Sequence, residues 1–482
     1  MPAGAAEARA EQKAALAKVI HRLRTGEEMA EAVEGVRARV DELEDAQARA
    51  KYAACLCFPQ RVMTRCASVR DAVEDFDKEA RKSSELAEAE ARLESEAFNA
   101  WKEARATSDF SKFAAKLSEL FALKRRIAEL TRPGVAEPYD GALDAFERGM
   151  TAQRLDEIFK ELRTGLVPLL EAILAKKAAA PEVDAPHTAL SPGSQWGVEQ
   201  QAELSRHVAA AIGYCFENGR LDVSTHPFTG GAGPTDVRVT SRFSDNWMEG
   251  FGGTIHETGH ALYEQGRDVS EEARGLPVSN ALSMGVHESQ SLLWERMVLQ
   301  SRPFWDWATP LFHERFPFTK EASAEDFYRM YNRVEPGFIR VEADEVTYPL
   351  HVIMRYDIER ALFSGEMEVA SVPKVWNDRM QRDLGLEVKN DAQGCLQVRM
   401  EKFIIQGAIM ATQIFNAAER DLGKASWTIL REWLREKVHK VGSLHPSPDE
   451  LLQSICGECV SPQPFLEYLK KKYSDLYELN LE

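Results

Sequence analysis

Up to about Lys177 the chain is rich in Ala, Glu, Lys, Arg and Leu, and apolar residues recur at helical spacing between runs of charge. Glu85 to Arg105 and Phe113 to Leu130 carry the pattern most clearly, and their charge runs read as solvated helix faces. Ala178-Ala179-Ala180-Pro181, Pro186 and Pro192-Gly193 interrupt it and predict a loop or linker near 178–197. The period drops to two at Asp236-Val237-Arg238-Val239-Thr240-Ser241-Arg242-Phe243, after the turn-rich Thr229-Gly230-Gly231-Ala232-Gly233-Pro234. That alternation predicts a strand. Helical spacing then returns and dominates to the C-terminus, so the expected fold class is mainly α with a small β ribbon.

The segment after the predicted ribbon carries the chemistry. His256-Glu257-Thr258-Gly259-His260 sets two histidines four residues apart, which on a helix stacks both imidazoles on one face. Glu257 points to an adjacent sector, within reach of a water on the same ion but off the ligand face. This is the H-E-x-x-H arrangement of zinc peptidases, in which the metal acidifies a water and the glutamate takes its proton. Gly252-Gly253-Thr254-Ile255 before it and Ala261-Leu262-Tyr263 after it are apolar, so the helix is expected to be buried. Buried imidazoles need partners, and one metal serves both. A ribbon beside such a helix suits a peptide, because an extended chain can pair its backbone with a strand edge.

Two histidines do not complete a catalytic zinc site, which usually has three protein ligands. Six residues after His260 stands Gly266, so the third histidine of H-x-x-G-x-x-H is absent. Ser283-Met284-Gly285-Val286-His287-Glu288-Ser289-Gln290 opens an amphipathic helix that runs on through Trp294 and Glu295. Glu288 can supply the third ligand, with His287 packing beside it or touching substrate; on chemistry alone His287 and Glu295 compete with it. Ile339 to Tyr348 gathers Arg340, Glu342, Asp344 and Glu345, and with Val346, Leu350, Val352 and Ile353 it predicts a helix with one face on a core.

Charge and cysteine content narrow the setting. The formal net charge of -17 disfavours nucleic acid and anionic membranes as partners. No stretch approaches the ~20 apolar residues that span a bilayer, and the N-terminal residues lack the pattern of a secretory signal. Seven cysteines, with Cys456-Gly457-Glu458-Cys459 a lone C-x-x-C and Cys55-Leu56-Cys57 too tight for a zinc knuckle, read as reduced thiols of a cytoplasmic protein.

Taken together, His226-Pro227-Phe228, Asp236 to Thr240, His256 to His260, His287-Glu288-Ser289-Gln290 and Ile339 to Tyr348 resemble, in order, the motifs of the M32 family of metallocarboxypeptidases. The resemblance spans nearly the whole chain. It implies one cleft-containing helical unit over 1–482, as a single body or as two helical subdomains flanking the cleft, related to neurolysin and angiotensin-converting enzyme. It also implies homodimers, zinc that cobalt can replace, and broad removal of C-terminal residues from peptides. Carried over residue by residue, it assigns His256, His260 and Glu288 to the metal and Glu257 to the general base. Arg340 falls in the family's R-x-x-A-D-E element; a guanidinium there can grip a free carboxylate with two charge-assisted bonds. Arg238 is the second candidate for that role. His226, His287 and Tyr348, within the matching motifs, complete the expected substrate-binding set.

The chain departs from the family pattern in two places. It starts within the segment that usually follows an N-terminal helix, and Gly394-Cys395-Leu396-Gln397 runs into Val398-Arg399-Met400-Glu401-Lys402-Phe403 instead of the family's Asp, His, Trp and Tyr groups. Donors of that kind stabilise a developing oxyanion by roughly 3–4 kcal/mol each. Their loss predicts weakened catalysis, with a metal-binding scaffold or an endopeptidase as the rival functions. Pro349 is a further irregularity, since proline inside a helix removes a backbone bond.

Overall fold

The computed structural model describes residues 6–37, 59–397, 406–423 and 426–480. Its fold is mainly α, with 71% of the described residues helical and one sheet of three strands among them, as the apolar spacing predicts. The expected helices at 85–105 and 113–130 are Ser84–Thr107 and Ser111–Thr131. Ser83 caps the first by accepting the Leu86 amide hydrogen. Ala152–Ala179 ends at the predicted break, and two short 3-10 turns, Pro181–Asp184 and Thr188–Leu190, occupy the loop that follows. That loop anchors the site: the Leu190 carbonyl accepts the Trp247 indole N–H at 2.9 Å, and Trp196 stacks on Trp247 at 4.8 Å. The main buried cluster draws on helices before and after it, with Phe159 edge-on to Tyr356 at 4.6 Å.

The sheet is larger than the predicted ribbon. β1 (Gly219–Val223) pairs in parallel with β3 (Asp236–Ser241), and β2 (Phe228–Gly233) pairs with β3 in antiparallel fashion. The sequence pattern predicts only β3, and predicts 229–234 as turn. The turn is in fact Pro234-Thr235 alone, and Gly231 of β2 serves the pairing. A Cβ on Gly231 would lie 1.8 Å from the Asp236 carbonyl oxygen, so only glycine permits that approach. Val237 and Val239 on the inner face pack with Leu221, Tyr214 and Ala261, which fixes the sheet against the helix that carries the metal motif.

That motif helix is Trp247–Gly266, buried along most of its length. Met284–Leu292 crosses it closely; a Cβ on Gly259 would stand 2.6 Å from the Gln290 carbonyl. Ser283 caps the second helix, which widens into a π-turn over Leu293–Leu299. Such turns recur at functional sites. The expected helix at 339–348 is not one. Arg340–Glu342 is a single 3-10 turn, and the helix begins at Thr347. Asp344 ends the irregular stretch by accepting the amide hydrogens of Val346 and Thr347, each at 2.9 Å. Pro349 therefore lies in a first helical turn, where its missing N–H has no intrahelical partner to lose.

Among the described residues Cys66, Cys215, Cys395, Cys456 and Cys459 are free thiols. Cys55, Cys57, Met1–Ala5 and the segment after Gln397 lie outside the described residues. Among the described residues, no helix is long and apolar enough to cross a membrane.

Candidate metal centre and active site

The two helices bring His256, His260 and Glu288 together, with one donor atom from each within 4.8 Å of the others. Their rings meet edge to face at 5.0 Å, as i, i+4 spacing requires. Both Nε2 atoms turn toward Glu288, His260 at 3.3 Å and His256 at 3.9 Å. Gly407 lets the neighbouring helix press on the Glu288 side chain, since a Cβ there would meet its Cγ at 2.7 Å. The outer nitrogens are held as well. His256 Nδ1 lies 2.6 Å from Glu295, and His260 Nδ1 lies 2.6 Å from His287 Nδ1.

Electrostatics favour positive charge at this point. Burial alone would lower the His256 pKa, but Glu288, the Glu295 hydrogen bond and Glu257 push it up to about 10. Burial likewise opposes ionisation of Glu288, yet His256, His260 and Arg296 draw it down to about 2. His260 moves the other way: burial lowers it, against the pull of Glu288. Two imidazole nitrogens and an ionised carboxylate, with carboxylate and imidazole partners behind them, are a donor set that fits a divalent cation.

Glu257 stands apart from that donor group. Only 8% exposed, it accepts the Thr229 hydroxyl hydrogen at 2.6 Å, which ties β2 to the motif helix. Glu257 lines a cavity of about 1110 Å³ together with His256, His260, His287 and Glu288. Pro227, Phe228 and Thr229 form one wall; Phe76 comes from the helix Pro59–Ala80, and Phe146 and Arg148 from the turn after the helix Pro138–Asp144.

The other predicted residues, Arg340, Tyr348, Arg238 and His226, lie outside the lining of that cavity. Arg340 donates to the Tyr348 hydroxyl at 3.1 Å, and Arg296 lies 4.8 Å from the centre of the same ring. Burial raises the Tyr348 hydroxyl pKa, Arg340 opposes this, and Glu288 and Glu295 add to it, so the tyrosine feels the metal-centre carboxylates. Asp344 is spent on the backbone amides at the helix start, and Glu345 pairs with Lys472 at 2.7 Å. Arg238, on the central strand and largely exposed, grips Asp236 with two bonds of 2.8 Å. It shares the outer face of the hairpin with Phe228, while His226 is exposed in the loop before β2. Glu264, which accepts from His287 at 3.0 Å, went unread although it stands four residues after His260 on the same face. Thr229 gave no signal at all, because its partner is reached only through the hairpin.

Comparison with known proteins bears on the whole of this arrangement. The profile of the Carboxypeptidase Taq (M32) metallopeptidase family matches residues 1–473. The chain belongs to the M32 family. A thermostable carboxypeptidase 1 of Thermus thermophilus is 36% identical across 98% of this chain and 92% of its own length. Carboxypeptidase 1 of Bacillus subtilis is 34% identical, covering 99% of this chain and 93% of its own. Among solved structures, an M32 carboxypeptidase from Deinococcus radiodurans superposes with a TM-score of 0.86 at 32% identity, covering 99% of this chain and 94% of that one. Metallocarboxypeptidase 1 of Trypanosoma cruzi gives 0.85 at 33% identity, with 98% and 93% covered. The M32 chain described here is thus a metallocarboxypeptidase: it acts on peptides and works with a divalent metal.

Proposed function

We propose that this chain is a zinc-dependent carboxypeptidase that removes C-terminal residues with broad preference, cobalt being able to replace zinc. The observation that carries the reading is the convergence of His256, His260 and Glu288 beside Glu257 on one cavity wall. His256, His260 and Glu288 hold the metal, which when bound acidifies a water and polarises the scissile carbonyl. Glu257, kept off the ligand face by Thr229, takes the proton of the attacking water and returns it to the leaving amine. Arg340, oriented by Tyr348, grips the free carboxylate of the substrate. Arg238 and His226 are rim contacts for the upstream residues of the peptide, a role supported by the hairpin face that Arg238 shares with cavity-lining Phe228. The fold as one unit, the homodimer and a cytoplasmic setting belong to the same reading, supported by the family resemblance and by free cysteines.

One assay tests it. Zinc-loaded protein is incubated with matched peptides bearing a free or an amidated C-terminus, and products are read by mass spectrometry. Stepwise loss of residues from the free peptide alone is expected. Equal cleavage of both would make the chain an endopeptidase, and no cleavage at full zinc loading would make it a metal-binding relic.

A further inference from the structure

His287 lines the cavity, and its ring is engaged from within the protein. Both ring nitrogens are spent, Nδ1 on His260 Nδ1 at 2.6 Å and Nε2 on Glu264 at 3.0 Å. Glu264 is in turn held by Arg267 at 2.6 Å. Only one assignment of protons satisfies this line when His260 ligates through Nε2. His260 then carries its proton on Nδ1 and donates to His287 Nδ1, and His287 donates its Nε2 proton to Glu264. The reverse order would leave His260 Nε2 protonated and pointing at Glu288, unable to ligate.

We propose that His287, with Glu264 and Arg267, is a positioning relay that fixes the tautomer and ring orientation of metal ligand His260. The inference rests on the reading of His260 as a ligand. His260 and Glu264 lie on the motif helix and Arg267 at its C-terminal end, while His287, the residue preceding Glu288, stands between His260 and Glu264. The relay therefore also fixes how the helix carrying two ligands meets the helix carrying the third. The His287 ring has little freedom to do anything else, lying 4.7 Å from the His260 ring and 5.1 Å from that of fully buried Tyr263. His256 is served differently, by direct contact with Glu295. The two imidazoles are thus oriented by separate devices that can be disabled one at a time.

The test measures zinc affinity of the full chain by chelator competition, together with the visible spectrum of the cobalt-loaded protein. Losing a partner behind a ligand typically costs 10- to 100-fold in metal affinity. His287→Leu is expected to lose about that much and to shift the cobalt bands. His287→Asn, which returns an acceptor opposite His260 Nδ1, recovers part of the affinity; a merely space-filling role would favour leucine over asparagine. Glu264→Gln, distant from the metal and close in shape, loses affinity to a smaller degree and carries the test if His287→Leu does not fold. Wild-type zinc affinity and an unshifted cobalt spectrum in both His287→Leu and Glu264→Gln would overturn the relay. A parent protein that takes up neither metal would instead sink the metal-site reading and the relay with it.

Discussion

Glu257 and Glu288 are the same side chain in the same cavity, and their surroundings divide the work between them. Glu288 faces two imidazole nitrogens, whereas Glu257 is hydrogen-bonded by Thr229 and lies outside the donor group. Glu257→Gln is therefore expected to keep its metal and lose turnover by about 10²- to 10⁴-fold, the usual worth of a general base. Glu288→Gln should lose metal and activity together. Elemental analysis beside a peptide-cleavage assay separates the two, and loss of metal in Glu257→Gln would remove its assignment as base. Arg340→Ala is expected to slow cleavage of free-carboxylate peptides by about 10- to 100-fold, the equivalent of a 1.5–3 kcal/mol bond to a charged group. Its zinc content should be unchanged; released zinc would make Arg340 a structural residue. At this scale the sequence was readable where spacing alone decides geometry, as with His256, Glu257 and His260. Thr229 and Glu295 were harder, since the first acts across a hairpin and the second only through the ring of His256.

Elements were legible in proportion to their length. Ser84–Thr107 and Ser111–Thr131 repeat a helical face often enough for the period to show. The stretch 339–348 does not, because Asp344 hydrogen-bonds the backbone itself and breaks the helix its neighbours favour. β2 was hidden for the opposite reason: its glycines look like a turn, whereas Gly231 is there so that two backbones can touch. The start of Met284–Leu292 shows a further long-range device. Buried Glu147 accepts the Ser283 hydroxyl hydrogen at 2.8 Å and the Gly285 amide hydrogen at 2.9 Å. Burial raises its pKa from 4.5 to about 7, against those two bonds. The folded protein thus keeps this proton up to about pH 7, while the unfolded chain releases it near 4.5. This contribution favours folding below pH 4.5 and disappears as the pH rises through 7, a change of about 3 kcal/mol. Glu147→Gln cannot titrate, so in metal-free denaturant melts its stability should gain on the parent between pH 4.5 and 7. Parallel pH profiles for the two proteins would place the titration elsewhere.

At the scale of the whole molecule the cavity joins parts of the chain that sequence alone could not connect. The side that carries the proposed ligands comes from helices at 247–266 and 284–292, and other lining residues come from near 72–79 and 144–148. Mainly α character was evident from spacing, but nothing local indicates which helices close over the ligands, since that is decided by the shared core. Residues of the motif helix and of the Glu288 helix, Ile255 and Val286 among them, belong to that core, so the proposed ligands come together only when both helices are docked. A ligand that binds the folded state alone stabilises it by mass action, about 4 kcal/mol at a thousandfold excess over its dissociation constant. Zinc should accordingly raise the melting temperature of chelator-stripped protein, in proportion to the logarithm of free zinc. Glu288→Gln should lose that dependence and Glu257→Gln should retain it, because only the first removes a ligand. Differential scanning calorimetry at stepped zinc concentrations reads the outcome directly. A melting temperature indifferent to zinc in the parent would mean that His256, His260 and Glu288 do not form its site. A dependence that survives Glu288→Gln undiminished would move the third ligand to another residue, Glu295 standing nearest by its contact with His256.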